Sequence, residues 1–313
     1  MQLYKSRGFS EFFQDTFSFI KQNGKHLFKH FFIVNGFFLL ILMVLGYFFT
    51  KFYSDIIFGG LLNNNTNVID DYMNENAGLF ILLLFVFLIV ALIAGIISYA
   101  YVPIYLKLHN DFGDQNFGTK EIVTTYKANI GVLFIFLICS ILISIPLLIT
   151  AGVLGFILAI TIIGILLLPL LIGAFALFYQ MSLMEYIEHK KGIWECFGYA
   201  WKLITSKFWA AVGSVGLFFL MSYIIQQIMA IIPYIFGMVG LFTSIEDGMT
   251  PDAEKIGGTM MVMLLAIFFL TFIVSSILSV IVQLNQGIVF YSLKEEAENI
   301  NTKSDIDLIG TSE

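Results

Sequence analysis

Two histidines, His26 and His30, have the spacing that best fits a metal site, because a separation of four positions puts both imidazoles on one face of a helix. His109 and His189 lie in other polar segments, and Glu185 stands close to the latter. A membrane metal-dependent oxygenase would gather such histidines and carboxylates around one centre. Spacing alone is weak evidence, and histidines that flank lysines at a membrane surface show the same pattern. The sequence therefore predicts no metal and no cofactor.

Four uncharged amides form a second candidate set, because they stand inside long apolar stretches. They are Asn35, Gln283, Asn285 and Gln286. At about 1.5 Å per helical residue, Asn35 lies about 9 Å from Lys29, and the other three lie about 12–17 Å from Lys294. A shared depth would allow hydrogen bonds between helices, which is the simpler interpretation. The alternative is a polar path or a lipid headgroup site.

No arrangement typical of catalysis occurs elsewhere in the sequence. The long apolar stretches contain essentially no ionisable residue, which argues against an ion-coupled transporter and against acid–base chemistry within a membrane. The GSVG stretch at Gly213 has no histidine partner in an apolar stretch, and no phosphate-binding loop occurs. We therefore predict that the protein is not an enzyme.

The composition determines what class of protein must position these residues. Of 313 residues, 59% are hydrophobic and only 12% are charged, whereas a soluble protein has about 25% charged residues. Apolar surface on this scale must be covered largely by lipid. The net charge of -6 provides no basic surface for nucleic acid. The expected surroundings are therefore a lipid bilayer and membrane-protein partners.

Runs of about 20 apolar residues are long enough to cross a bilayer as helices, and six such runs are predicted. They cover residues of about 29–50, 77–106, 130–151, 155–184, 208–231 and 258–292, in a single membrane domain (1–293) followed by a short polar tail (294–313). The third and fourth spans are expected to join near Gly152 and Gly155, and Pro233 is expected to redirect the chain after the fifth. The predicted fold is an all-α, polytopic membrane bundle of six transmembrane helices.

Positive charge is distributed unequally between the two ends of the predicted spans. Fourteen of the 16 lysines and arginines lie at one end, and only Lys51 and Lys255 lie at the other. Because positive residues accumulate in cytoplasmic loops, we expect both termini in the cytoplasm, and an even number of spans agrees with this. Residues 1–26 lack the pattern of a cleavable signal peptide. The expected location is the bacterial inner membrane.

Three segments that precede a span share a pattern, which predicts three helical-hairpin repeats, each with an interfacial amphipathic helix before two spans. In each segment an acid is followed five or six positions later by an aromatic residue. The pairs are Glu11 with Phe17, Glu121 with Tyr126, and Glu195 with Trp201. We expect the first segment to form a helix at the membrane surface, capped by Ser10. The alternative is that any interfacial helix before a span has this pattern.

The stretch MEYIEHKKGIWECFGYAWKLITSKFWAAVG resembles a signature of bacterial six-helix proteins similar to the membrane domain of glycerophosphodiester phosphodiesterases. An acid and a turn with glycine precede a helix of small and aromatic residues, and a Lys–aromatic–Trp sequence then enters the next span. The ending QLNQGIVFYSLKEEAE resembles the last helix of that family. The family's phosphodiesterase activity resides in a separate barrel, and only 20 residues follow Leu293 here. The resemblance therefore implies the membrane fold without the enzymatic activity.

These features lead to the hypothesis of a non-enzymatic integral membrane protein that acts as a scaffold or accessory subunit of a cytoplasmic-membrane complex. The first alternative is a lipid or small-molecule permease, which the repeats, the prolines and the amides would suit. A remote alternative is the membrane metal-dependent oxygenase considered above. The sequence names no substrate, no partner and no oligomeric state.

Overall fold

The computed structural model describes residues 1–59, 68–113, 115–246 and 253–301, and every regular element within these residues is an α-helix. The helices are α1 (Phe9–Gly59), α2 (Val68–Phe112), α3 (Thr119–Ala128), α4 (Ile130–Ala159), α5 (Ile162–Ile187), α6 (Ile193–Ser206), α7 (Phe208–Glu246) and α8 (Ala253–Glu298). Six of them are long and apolar enough to cross a membrane. The protein is an all-α, multi-pass bundle, which confirms the predicted fold class. Lys303 and the tail beyond residue 301 lie outside the described residues, as does the side chain of Lys255.

The helices extend beyond most of the predicted spans. The six apolar helical segments are Phe9–Ser54, Asn76–Phe112, Ile130–Ala159, Leu167–Ile187, Phe208–Phe236 and Gly258–Glu298. At Pro233, where the sequence predicts that the chain is redirected, α7 continues as a helix to Glu246. A membrane helix tolerates proline when its surroundings satisfy the freed carbonyl group. The predicted polar tail from Lys294 begins inside a helix, since α8 continues to Glu298.

The connection between α4 and α5 lies at Thr161 instead of near Gly152 and Gly155, which are both inside α4. The Thr161 hydroxyl accepts a hydrogen bond from the Gly164 amide (2.9 Å), as an N-terminal cap does. A Cβ atom on Gly164 would lie only 2.0 Å from the Leu158 carbonyl oxygen. The turn therefore depends on a capping hydroxyl, from Thr161, and on a glycine three positions later, Gly164. Gly152 and Gly155 have no such role, because both lie inside α4.

The first segment does not form a separate interfacial helix, because α1 runs without a break from Phe9 to Gly59. By contrast, α3 and α4 are separated at Asn129, and α6 and α7 are separated at Lys207. The expected cap is also wrong: the Ser10 hydroxyl lies within the first turn and accepts a hydrogen bond from Gln14. The structure therefore places two short helices, not three, before spans.

A recurring hydrogen bond nevertheless relates the three segments. In each one a glutamate side chain accepts a hydrogen bond from the backbone amide of a glycine three positions earlier, which satisfies a free amide at the helix start. The pairs are Gly8 with Glu11 (2.8 Å), Gly118 with Glu121 (2.8 Å) and Gly192 with Glu195 (2.9 Å). The residue after each glutamate is fully buried; these are Phe12, Ile122 and Cys196. The three acids of the predicted repeat thus have one structural role.

The aromatic residues of the predicted repeat are not equivalent. Phe17 and Trp201 both follow their glutamate by six positions, and both are exposed. Tyr126 follows its glutamate by five positions, and its hydroxyl donates to the Ile97 carbonyl oxygen at 2.6 Å. It corresponds instead to the buried residues Thr16 and Ala200. The three glutamates therefore occupy equivalent positions in the three segments, and the three aromatic residues do not.

The chain divides into two compact units. The first unit contains Met1–Val34, Ile96–Ser222 and the chain from Ser279 onward. Its core lies where three helices have continuous buried stretches, at residues 100–106 of α2, 180–185 of α5 and 282–295 of α8. The second unit contains Asn35–Gly95 and Tyr223–Leu278. Most polar residues considered below belong to the first unit.

Within the first unit, α5 and α7 pack closely at Gly173 and Gly216. A Cβ atom on Gly173 would lie 2.8 Å from the Gly216 backbone nitrogen and 3.0 Å from its Cα atom. Backbone atoms cannot move aside as a flexible side chain can, so this contact requires glycine. Small residues commonly allow such close approach in membrane helices.

We predict that Gly173→Ala lowers the free energy of unfolding by about 1–3 kcal/mol, because the two helices must separate to admit the new methyl group. The matched control is Gly152→Ala, since a Cβ atom there meets nothing within 4 Å. That change should be neutral or stabilising by up to about 1 kcal/mol, as alanine favours the helix. Thermal unfolding in detergent micelles measures both variants. Equal midpoints for the two would contradict the close contact.

Candidate functional site

Asn285, one of the four predicted amides, connects three helices in the core of the first unit. Its Nδ2 atom donates to the Thr16 hydroxyl on α1 (3.0 Å) and to the Ser214 hydroxyl on α7 (3.1 Å). The Thr16 hydroxyl in turn donates to the Phe12 carbonyl oxygen (2.7 Å). Asn285, Thr16 and Ser214 are fully buried. This arrangement matches the simpler interpretation, in which the amide holds helices together.

The other predicted amides lie in different surroundings. In the orientation that satisfies both amide atoms, Gln283 donates to the Ser98 and Tyr99 carbonyl oxygens of α2 at 3.3 and 3.2 Å. Gln286 is buried in the same stretch of α8. Asn35 is buried as well, but it belongs to the second unit. The four residues therefore do not form one group within either unit.

Gln180 of α5 is a buried amide that the sequence prediction missed. Its side chain is fully buried, and neither amide atom has a hydrogen-bond partner among the described residues. Leaving such a group unpaired costs about 1–3 kcal/mol. A signal was available, because Gln180 is the single amide between Ile130 and Met184.

A buried cluster of charges around Lys294 was also missed. The Lys294 Nζ atom of α8 donates to the Glu185 carboxylate (2.6 Å) at the end of α5 and to the Glu188 carboxylate (2.7 Å) just after it. The Lys294 and Glu185 side chains are each only 1% exposed. Two carboxylates thus neutralise a lysine that the sequence had placed in a polar tail. This pairing fixes the end of α5 against α8.

The cluster extends to α6 through Lys191. The Lys191 ammonium group is 2.6 Å from a second Glu185 oxygen and lies 3.4 Å above the centre of the Tyr199 ring, which is a cation–π contact. The Tyr199 hydroxyl donates to Glu298 of α8 at 2.5 Å. Burial, together with this bond to a carboxylate, raises the pKa of Tyr199, so its hydroxyl stays protonated and able to donate. Residues of α5, α6 and α8 are thereby joined in one network of charges and hydrogen bonds.

Arg7, the single arginine of the chain, organises the segment before α1. Its buried guanidinium group contacts the Asp15 carboxylate at 2.7 Å and donates to the Gln2, Leu3 and Lys5 carbonyl oxygens at 2.7–2.9 Å. The organised segment then meets the end of α8. The contacts are a Ser6–Glu296 hydrogen bond, a Tyr4–Asn301 hydrogen bond and an edge-on packing of the Tyr4 and Tyr291 rings. The first residues of the chain thus lie beside residues 291–301.

The two spaced histidines do share a face, with their ring centres 4.3 Å apart. The His26 nitrogens lie 2.9 Å from the Tyr105 hydroxyl and 3.0 Å from the Phe117 carbonyl oxygen. One His30 nitrogen lies 2.8 Å from the Thr119 hydroxyl. Among the described residues, no three metal-binding side chains come together. The hydrogen bonds of the two histidines therefore connect α1 to α2 and to the start of α3.

Among the described residues of the second unit are two grooves that are lined mainly by apolar side chains. The larger has a volume of about 840 Å³ and lies between α1, α2 and α8. The smaller, of about 570 Å³, lies between α7 and α8 around Pro233. Both are open on one side. Because their walls are apolar, they suit hydrocarbon better than a polar solute.

We predict that Lys294→Ala lowers the free energy of unfolding by about 3–5 kcal/mol, because two buried carboxylates lose their partner. Adding Glu185→Gln should recover part of the loss. The control is Lys190→Ala, whose side chain is 71% exposed and pairs with Glu188 at 3.3 Å; this change should cost less than about 1 kcal/mol. Denaturant titration in mixed micelles measures the three variants. Similar losses for Lys294→Ala and Lys190→Ala would show that the cluster is not a buried network.

We further predict that the Cys196 thiol reacts slowly with a maleimide while the protein is folded. Cys196 is fully buried, and burial raises its pKa to about 11, so almost no reactive thiolate exists at pH 7. In a Cys139→Ala background, labelling of the folded protein should still be rising above pH 9. An exposed Ala128→Cys, in a background lacking both native cysteines, should label quickly. Fast labelling of Cys196 that levels off by pH 9 would contradict this environment.

Comparison with known proteins gives no relative, since no family model, no curated protein and no solved structure matches the chain. The resemblance to the membrane domain of glycerophosphodiester phosphodiesterases therefore stays a prediction.

Proposed function

We propose that this protein is a non-enzymatic scaffold or accessory subunit of a complex in the bacterial inner membrane. The observation that carries the proposal is the arrangement of α6, which has one firmly held face and one exposed aromatic face. A subunit that organises partners needs such a surface on a rigid support, because a preformed surface loses little conformational freedom on binding.

The held face of α6 is buried along its whole length. Its buried residues are Cys196, Phe197, Ala200, Leu203 and Ile204. The Phe197 ring packs against Phe136 of α4 and Phe178 of α5, with ring centres 5.8 and 5.6 Å apart. Tyr199 adds its hydrogen bond to Glu298 of α8. Contacts with three other helices thus hold α6 in one position.

The opposite face presents a stripe of residues at helical spacing. Trp194, Gly198, Trp201 and Thr205 are all exposed, and the two tryptophans are 58% and 59% exposed. A Cβ atom on Gly198 would meet nothing within 4 Å, so no other part of the described chain covers this position. Tryptophan is among the residues that contribute most to protein interfaces. We take this stripe as the partner surface.

The proposed orientation places both termini and α6 in the cytoplasm. The lysine distribution supports it, and so does the contact of the first residues with residues 291–301. Because partners would approach α6 at the cytoplasmic membrane surface, the complex is expected to be assembled on that side.

The test is cross-linking in native membranes followed by purification of the tagged full-length protein. We expect a partner protein at constant stoichiometry, and the Trp194→Ala/Trp201→Ala variant should lower its recovery at least tenfold, since a central interface tryptophan contributes about 2 kcal/mol or more. Trp209→Ala is the matched control. It removes a tryptophan that is 79% exposed but belongs to α7.

Two results would contradict the proposal. The first is recovery of the wild-type protein without any partner. The second is an equal loss of the partner in the Trp209→Ala control, because all three tryptophans would then act only as anchors at the membrane interface.

A further inference from the structure

Three lysines form a stripe along the first part of α1. Lys21, Lys25 and Lys29 are each four positions apart, so they follow one face of the helix. All three are exposed, and none of them forms an ion pair with a described residue. The opposite face, which includes Phe19 and Leu27, is fully buried. The stripe is therefore an outer surface of the first unit with three positive charges that the described chain does not compensate.

The connection between α2 and α3 holds this part of α1 from one side and leaves the lysine stripe open. The Gln115 amide donates to the Asn23 side chain at 3.2 Å, and a His26 nitrogen lies 3.0 Å from the Phe117 carbonyl oxygen. Asn23 is buried. These contacts fix the helix in place, so the three lysines are presented on a rigid support.

The depth of the stripe follows from the charges at the two ends of the apolar stretch of α1. No lysine, arginine, aspartate or glutamate stands between Lys29 and Lys51, and the 22 positions between them correspond to about 33 Å of helix. The hydrocarbon region of a bilayer is about 30 Å thick, so Lys29 lies at its boundary. Phe32 and Ile33 follow three and four positions later and are both exposed, as expected of side chains that contact lipid.

The rest of the stripe lies at the level of the phospholipid phosphates and just above it. The headgroup layer extends about 5–8 Å beyond the hydrocarbon, and Lys25 lies about 6 Å from Lys29 along the helix axis. Lys21 lies about 6 Å farther, which is within the distance of about 8 Å over which a charge acts in physiological salt. An ammonium group binds phosphate by charge-assisted hydrogen bonds.

The charge of the stripe favours an anionic lipid over a zwitterionic one. Each lysine near an anionic membrane surface strengthens the attraction roughly fivefold. A zwitterionic headgroup carries a positive group of its own, which offsets most of this attraction. Because the stripe continues directly into exposed apolar residues, a ligand with both a phosphate and acyl chains fits it better than a soluble anion does.

We propose that this face of α1 is a binding site for an anionic glycerophospholipid. The phosphate is held by Lys25 and Lys29, an acyl chain lies along Phe32 and Ile33, and Lys21 adds attraction from a longer distance. The lipid belongs to the leaflet on the Lys29 side of the bilayer. The site is independent of the α6 partner surface.

The test is native mass spectrometry of the full-length protein in mild detergent. The protein is titrated with palmitoyl-oleoyl phosphatidylglycerol or with phosphatidylcholine that has the same chains. We expect the first phosphatidylglycerol to bind at least tenfold more tightly than the first phosphatidylcholine. Lys21→Gln/Lys25→Gln/Lys29→Gln should abolish this preference, because glutamine removes the charge and keeps the helix propensity. The double variant Lys25→Gln/Lys29→Gln should lower the preference at least fivefold, in case the triple variant fails to fold.

Two further variants separate the stripe from the net charge of the protein. Replacing the same three lysines with arginine keeps the charges and should keep the preference. The matched control changes three exposed lysines of other segments, and it should also keep the preference: Lys127→Gln/Lys190→Gln/Lys202→Gln. Glycerol phosphate has the phosphate without acyl chains, and a tenfold excess of it should not displace phosphatidylglycerol.

The proposal is overturned if the triple glutamine variant of the stripe keeps the preference. It is also overturned if the matched control loses the preference equally, because scattered positive charge would then attract the lipid without a defined site. Displacement by glycerol phosphate would make a soluble phosphate the ligand. Loss of a co-purifying acidic polypeptide from the stripe variant, with the lipid preference unchanged, would make a protein the ligand.

These measurements use the isolated protein. Their failure would leave the result for the Trp194→Ala/Trp201→Ala variant unaffected.

Discussion

The pairing of Lys294 with Glu185 and Glu188 is the interaction on which the core of the first unit depends. A charge that leaves water is tolerated only when close opposite charges compensate for its lost hydration. Lys294 is on α8, whereas its two carboxylates lie at the end of α5 and just after it. Neutralising one ammonium group therefore fixes the ends of two central helices against each other. Lys191 shares Glu185, and through Tyr199 it connects the same network to α6.

The two units differ in their polar contacts. The core of the first unit combines aromatic packing, such as that of Phe136 against Phe197, with the hydrogen bonds of Asn285 and the charge pairs of Lys294. In the second unit, aromatic packing connects α1 to α2: the Phe52 and Phe80 ring centres are 4.5 Å apart, and those of Phe49 and Phe87 are 5.4 Å apart. Ring packing is less directional than a charge pair, so the second unit can leave grooves between its helices without unpaired charges.

The sequence predicted those features that depend on local composition, and it missed those that depend on tertiary contacts. The six spans followed from apolar length, and the role of Asn285 followed from its depth in an apolar run. The turn at Thr161 was missed because Gly152 and Gly155 interrupt the same run, and only the geometry at Gly164 requires a glycine. Lys294 was assigned to a polar tail because a lysine at the end of a span is usually hydrated. Its burial depends on two glutamates more than 100 positions earlier.

Burial makes these pairings specific. At the surface of a soluble protein a lysine has alternative carboxylates and water nearby, so a single pair contributes little. The Lys294 and Glu185 side chains are each only 1% exposed, so an arrangement that separated them would leave a charge neither paired nor hydrated. The burial of this pair therefore favours one arrangement of α5, α6 and α8, and the exposed stripe of α6 acquires a defined position from it.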